Sequence, residues 1–147
     1  MRVRAFTITV AVTALLATAC GSSPGEELGD WYTSGGEKQI KQMAQDAGRV
    51  SEVSMRTLDA IGTACQDLTG HLPAAEGFAP IPDETAQSAW SKALAALRAG
   101  AAECTAGAAA QDEVRAGAGV RTIQRDGLGV LPEVTSRIKA QLAREKK

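Results

Sequence analysis

Residues 35–72 read GGEKQIKQMAQDAGRVSEVSMRTLDAIGTACQDLTGHL, and the spacing of their apolar side chains decides the fold class. Ile40, Met43, Ala47, Val50, Leu58, Ile61, Cys65, Leu68 and Leu72 recur on one stripe, with Ser54 in the gap. A period of about 3.6 residues is what an α-helix needs to bury one face. Just upstream, Ser34 and Glu37 have S-x-x-E spacing. In that pattern each side chain satisfies a backbone N–H of the other residue at a helix start. The stretch therefore predicts a single helix over residues 35–71.

Downstream, residues 73–83 (PAAEGFAPIPD) hold three prolines, which remove backbone donors and stop a helix. Asp83 is a candidate N-cap for a second helix. Its inward stripe is Ala86, Trp90, Ala93, Leu94, Leu97, Ala101 and Cys104, ending near Gly107. A third helix is expected from Gln111 or Asp112, with Val114, Val120 and Ile123 facing inward. Gly117, Gly119, Gly127 and Gly129 weaken it, by about 1 kcal/mol each relative to alanine. Pro132 suits the first turn of a helix, and Val134, Ile138 and Leu142 then share a face. Residues 108–147 read equally as one kinked helix or as two. No stretch alternates as a strand would. The expected fold is all-α, a small three- to four-helix bundle over residues 34–147.

The chain of 147 residues suits one domain, and 44% hydrophobic residues allow a core. Aromatics are only 3% of the chain, so alanine and glycine must fill much of that core through close helix contacts. The net charge of −1 gives no basic footprint for nucleic acid. His71 is the single histidine, so neither clustered zinc ligands nor a supported Ser-His-Asp set can be assembled. It is expected just past the end of the first helix, where a cation favours the dipole. Asp83-Glu84 and Asp112-Glu113 read as first-turn helix residues rather than an acid–base pair. Gly117-Ala118-Gly119 and Gly127-Leu128-Gly129 follow no strand and complete no phosphate-loop fingerprint. No enzyme activity and no cofactor are expected. Trp90 reads as core, whereas Trp31-Tyr32 suits either the bundle end or a membrane interface.

The N-terminus has a different character. Arg2 and Arg4 precede AFTITVAVTALLATA, an uncharged run over residues 5–19. That run is shorter than the ~20 residues a bilayer span needs, and it matches the apolar region of a secretory signal. Ala17-Thr18-Ala19 supplies the small-x-small cleavage pattern, and Cys20 follows at once. Thr18-Ala19-Cys20 resembles the lipobox of bacterial lipoproteins, with Ala17 where leucine is usual. The whole chain is similar to small Ala-rich lipoproteins of high-GC Gram-positive bacteria. The resemblance implies a signal peptide over residues 1–19 and a diacylglyceryl group on Cys20. It further implies a lipid-anchored, outward-facing position on the cell membrane. Ordinary secretion with the same cleavage is the rival reading. Residues 20–33 would be the lipidated N-terminus and a flexible polar tether. Without Arg2 and Arg4 the mature part carries 14 basic residues of the chain's 16, against 17 acidic.

With Cys20 acylated, Cys65 and Cys104 are left as an even pair in an oxidising compartment, to be bridged or kept as two separate buried thiols. If the first helix ends near residue 71 and the second starts at 84, a tight antiparallel hairpin would hold them beyond the ~7 Å limit for a bridge. Pairing would then require residues 73–83 to run back along the bundle, extended and anchored by Phe78 and Ile81, with the two helices parallel. The basic run Arg137, Lys139, Arg144, Lys146 and Lys147 reads as a solvated helix end or as a contact for anionic headgroups. The function expected is a non-enzymatic binding or interaction module. Its partners would be membrane lipid through the Cys20 anchor and an envelope protein or small ligand, with no nucleic acid. The alternatives are an envelope enzyme or enzyme accessory, a structural spacer without a ligand, and a secreted, non-lipidated helical protein.

Overall fold

In the computed structural model, which describes residues 23–145, Ser23 is extended and caps the first helix. The expected signal peptide and Cys20 lie outside the described residues. Ser23 Oγ accepts the Glu26 N–H at 3.2 Å, and the Glu26 carboxylate accepts the Ser23 N–H at 2.8 Å. Pro24 occupies the first turn, where its missing donor costs nothing. Helix α1 (Pro24–Trp31) follows, and Leu28 and Trp31 on its inner face are buried. The flexible tether expected over residues 20–33 is therefore corrected from Ser23 onward. A capping box and two large apolar side chains three residues apart outweigh the polar, glycine-containing composition.

Tyr32–Gly36 form a kink between two helices, with Gly35 at φ 141° against the Phe78 ring. A side chain at Gly35 would be strained there. The hydroxyls of Thr33 and Ser34 donate back to the carbonyls of Gly29 and Trp31, at 2.9 and 3.1 Å. The Ser34–Glu37 capping box consequently does not form. Helix α2 (Glu37–Val53) continues the path, then ends at a turn over residues 54–57. Thr57 Oγ1 accepts the Ala60 N–H and caps helix α3 (Leu58–Glu76). The single helix expected over residues 35–71 is thus two helices folded back on each other. Their stripes share a phase because both face one core. Pro73 sits inside α3, not after it, and Leu72 and Ala75 on either side of it are buried.

Helix α4 (Glu84–Ala109) starts at Asp83, whose Oδ1 accepts the Ala86 N–H at 2.7 Å. All seven residues of its expected stripe are buried. Gln111 at φ 55° turns the chain, and Asp112 caps helix α5 (Glu113–Thr122). A π-helical turn (Ile123–Gly127) and a 3-10 turn (Leu128–Val130) then lead into helix α6 (Leu131–Glu145). The C-terminal part is one kinked helical path, with Val134 and Ile138 fully buried. Val114 is an exception to the sequence reading: it is 81% exposed. α5 meets the core through Ala116, Gly119 and Val120, and Val114 falls outside that face.

The result is an up-down-up-down bundle of four helical columns, α1–α2, α3, α4 and α5–α6. Among the described residues there is no strand. The α4 and α5 backbones approach closely: a Cβ on Gly119 would lie 2.8 Å from Cys104 Cα, and one on Gly100 2.8 Å from the Gly119 carbonyl oxygen. α3 and α4 are antiparallel, which corrects the parallel arrangement expected from the cysteines. Gly62 faces Ala108, Cys65 meets Cys104, and Glu76 pairs with Arg98. In that register the end of α3 lies beside residue 94, so α4 overhangs it by roughly ten residues, or about 15 Å. The Gly77–Asp83 segment climbs this overhang instead of running back. It is packed by the expected anchors, with Ile81 buried and Phe78 half-buried, but the extended stretch expected over residues 73–83 is corrected: residues 73–76 belong to α3 and Gly77 is still helical in conformation.

Candidate functional site

Two groups of side chains stand out within this frame. The first is the cysteine pair. Cys65 on α3 and Cys104 on α4 are both fully buried, and a disulfide joins them with their Cα atoms 6.2 Å apart. The antiparallel register with an overhanging α4 is what brings them level.

The second group was not legible in the sequence. Asp46 on α2 is 8% exposed and is the single buried charged residue among those described. His71 Nδ1 lies 2.9 Å from Asp46 Oδ2, and Gln42 Nε2 donates to both carboxylate oxygens at 3.1 Å. A buried carboxylate needs such partners, because it has lost its water. His71 is not past a helix end, as expected, but inside α3, because α3 runs on through Pro73 to Glu76. The signal that could have found the cluster is Asp46 itself. It lies three residues after Met43 and four before Val50, on the inward stripe where a charge is out of place.

The cluster forms one wall of an open cleft of ≈ 580 Å³ between α2 and α3, where Arg49, Glu52 and Asp67 also stand. Its chemistry is limited. A carboxylate bonded to a histidine can orient the ring, and here Nδ1–H of His71 donates to Asp46, but among the described residues no nucleophile is bonded to the ring's other nitrogen. No group of three or more potential metal ligands occurs among the described residues.

A second groove, of ≈ 530 Å³, runs between α2 and α6 over Ile40, Ala44, Leu128 and Leu131, with Lys41 and Lys139 at its edge. Lys41 pairs with Glu37 at 2.8 Å. Glu37 also accepts the Tyr32 hydroxyl at 2.9 Å, and these two bonds hold its carboxyl below the ordinary value. Burial first, then the Glu37 carboxylate, push the Tyr32 phenol up.

The remaining candidates are structural. Asp83 caps a helix and Trp90 is core, as expected, while Asp112, expected inside the first turn of its helix, stands just before it as the cap. Trp31 is tied into the bundle end: its Nε1–H donates to the Ala79 carbonyl at 2.6 Å and its ring meets Phe78 edge-on at 5.8 Å. Gly119 and Gly127 serve close packing, against Cys104 and Leu97. No described helix is long and apolar enough to cross a membrane. No protein-family model matches the chain, and no curated protein and no solved structure matches it.

Proposed function

We propose that this chain is an exported protein, held on the outer face of a membrane by acyl groups on Cys20, whose helical bundle is a non-enzymatic binding module. The observation that carries the reading is the pairing of Cys65 with Cys104. It accounts for two of the three cysteines in a form suited to an oxidising compartment. The third directly follows a charged head, an apolar run and Ala17-Thr18-Ala19. Two or more acyl chains suffice for stable anchoring. Open clefts of a few hundred Å³ are in the size range of small-molecule sites, which favours binding over a spacer role.

Mass spectrometry of the mature protein extracted from membranes tests the anchor. The expected result is an acylated Cys20 as first residue and no free thiol. An unmodified N-terminus in the soluble fraction would overturn the anchor and leave a secreted helical protein. Partner capture from native membranes and ligand-induced thermal shifts test the binding role, which fails if both are blank.

The contact of buried Asp46 with the exposed His71 ring in an open cleft is the one observation that favours an envelope enzyme or accessory. That reading requires His71→Ala to abolish a measurable turnover while leaving the fold intact.

A further inference from the structure

The lipid anchor, if it is as proposed above, has almost no slack. Cys20 is separated from the helix-capping Ser23 by Gly21 and Ser22 alone. Three residue steps, at no more than ~3.6 Å each, keep Ser23 within about 11 Å of the acylated residue. From Ser23 onward the chain is fixed. α1 buries Leu28 and Trp31, and Trp31 is bonded to Ala79 of the loop between α3 and α4. The spacer is too short to carry this end of the bundle far from the anchor, so the end that holds Ser23 stays at the membrane.

The topology says which way. α1–α2 and α6 are antiparallel: Gly29 lies beside Leu142, Lys139 acts on Glu37, and Ile40 and Ala44 share a groove with Leu131. The start of α1 is therefore at the end of the bundle where α6 finishes. The Gly77–Asp83 loop is at that end too, through Trp31 and Phe78. The turn at residues 54–57 is at the opposite end, in a cleft it shares with Glu113 at the start of α5. α4, with 26 residues, spans the two ends, a separation of about 40 Å at 1.5 Å per residue.

We infer that the bundle stands end-on against the bilayer, its α1, Gly77–Asp83 and α6 end resting on phospholipid headgroups and its 54–57 turn facing away. The surface at the membrane end fits zwitterionic headgroups better than a strongly anionic layer. Arg144 is there, with Lys146 and Lys147 following in sequence, but so are Glu26, Glu27 and Asp30 of α1. The acyl chains and the short spacer set the orientation, and net charge does not.

The test uses the mature protein extracted from membranes and reconstituted in phosphatidylcholine vesicles that carry a quencher on the headgroup. With Cys20 acylated and Cys65 bridged to Cys104, a thiol introduced by Pro80→Cys or Met55→Cys is the sole site for a fluorophore. Both positions are exposed. The expected result is quenching at position 80 several times that at position 55. Inserting ten Gly/Ser residues between Ser22 and Ser23 should bring the two values together. Equal quenching without the insertion, on protein whose acyl mass is present, overturns the orientation and leaves the anchor standing. Absence of the acyl mass overturns both. A difference that appears only when phosphatidylglycerol is added assigns the orientation to charge and overturns the spacer argument.

Discussion

Removing the Cys65–Cys104 bridge is the sharpest test of how this fold is held. The bridge closes a loop with a sequence separation of 39. In the chain-entropy account a loop of that length takes about 13 cal/mol/K from the unfolded ensemble, or about 4 kcal/mol at 25 °C. Both sulfurs are fully buried, so a double Cys65→Ala, Cys104→Ala variant also leaves unfilled core, which adds to the loss. At about 4 °C per kcal/mol for a domain of this size, Tm should fall by about 15 °C. Thermal unfolding followed by circular dichroism, with and without dithiothreitol, measures it. The unmodified domain should lose most of that 15 °C on reduction, and the double variant should not respond to reductant at all. A drop below about 5 °C in both comparisons would refute the argument, because the cysteines would then contribute no more than two small apolar side chains.

Two further outcomes follow from the packing and the titrations. Gly119→Ala should destabilise by about 2 kcal/mol, because its methyl group would press on the Cys104 backbone, whereas Gly70→Ala, with nothing within 4 Å, should stabilise by up to about 1 kcal/mol; urea unfolding of the two variants checks the opposite signs. The Tyr32 phenol is raised above its ordinary 10.0, so the folded state keeps a proton that the unfolded chain has lost. Its contribution is complete below pH 10.0 and disappears as pH climbs through the folded value, so stability should decline in that alkaline window, and Tyr32→Phe should flatten the decline in pH-dependent unfolding.

The helical class was legible because the apolar stripes are long and keep one period, and the cap at Asp83 was legible because its side chain acts locally. The break at residues 54–57 was not. A period records which face is buried, and two helices folded back against one core can carry the same phase, so the stripe runs through the turn unbroken. Missing that turn also hid the candidate site: Asp46 and His71 meet only because α2 and α3 are antiparallel. α1 was hidden by composition. The S-x-x-E spacing read at Ser34–Glu37 also occurs at Ser23–Glu26, with Pro24 behind the cap, and that is where the box forms. The local signal is the same in both places. What decides between them is whether Leu28 and Trp31 find a core, and part of that core comes from residues some fifty positions away, such as Phe78. The cysteine pair could be anticipated by parity, but its register could not, because the length of the α4 overhang is set by how far the Gly77–Asp83 segment climbs.

The two means of holding this aromatic-poor bundle together are separated along its length. The four aromatic residues of the described chain, Trp31, Tyr32, Phe78 and Trp90, all lie toward the end where α1 begins and the Gly77–Asp83 loop crosses. There, α4 overhangs α3 and leaves a gap that small side chains could not fill, and large rings close it. Toward the other end Cys104, five residues before the end of α4, is tied to α3, and Gly100, Gly107 and Gly119 let α5 lie directly on α4. Small residues bury little area each, so that half relies on backbone proximity and a covalent link. The aromatic half needs no link, because the ring of Trp31 reaches from α1 across to the loop and fixes both. This division is why Leu28 and Trp31 of α1 are buried, although the composition of their segment reads as a tether.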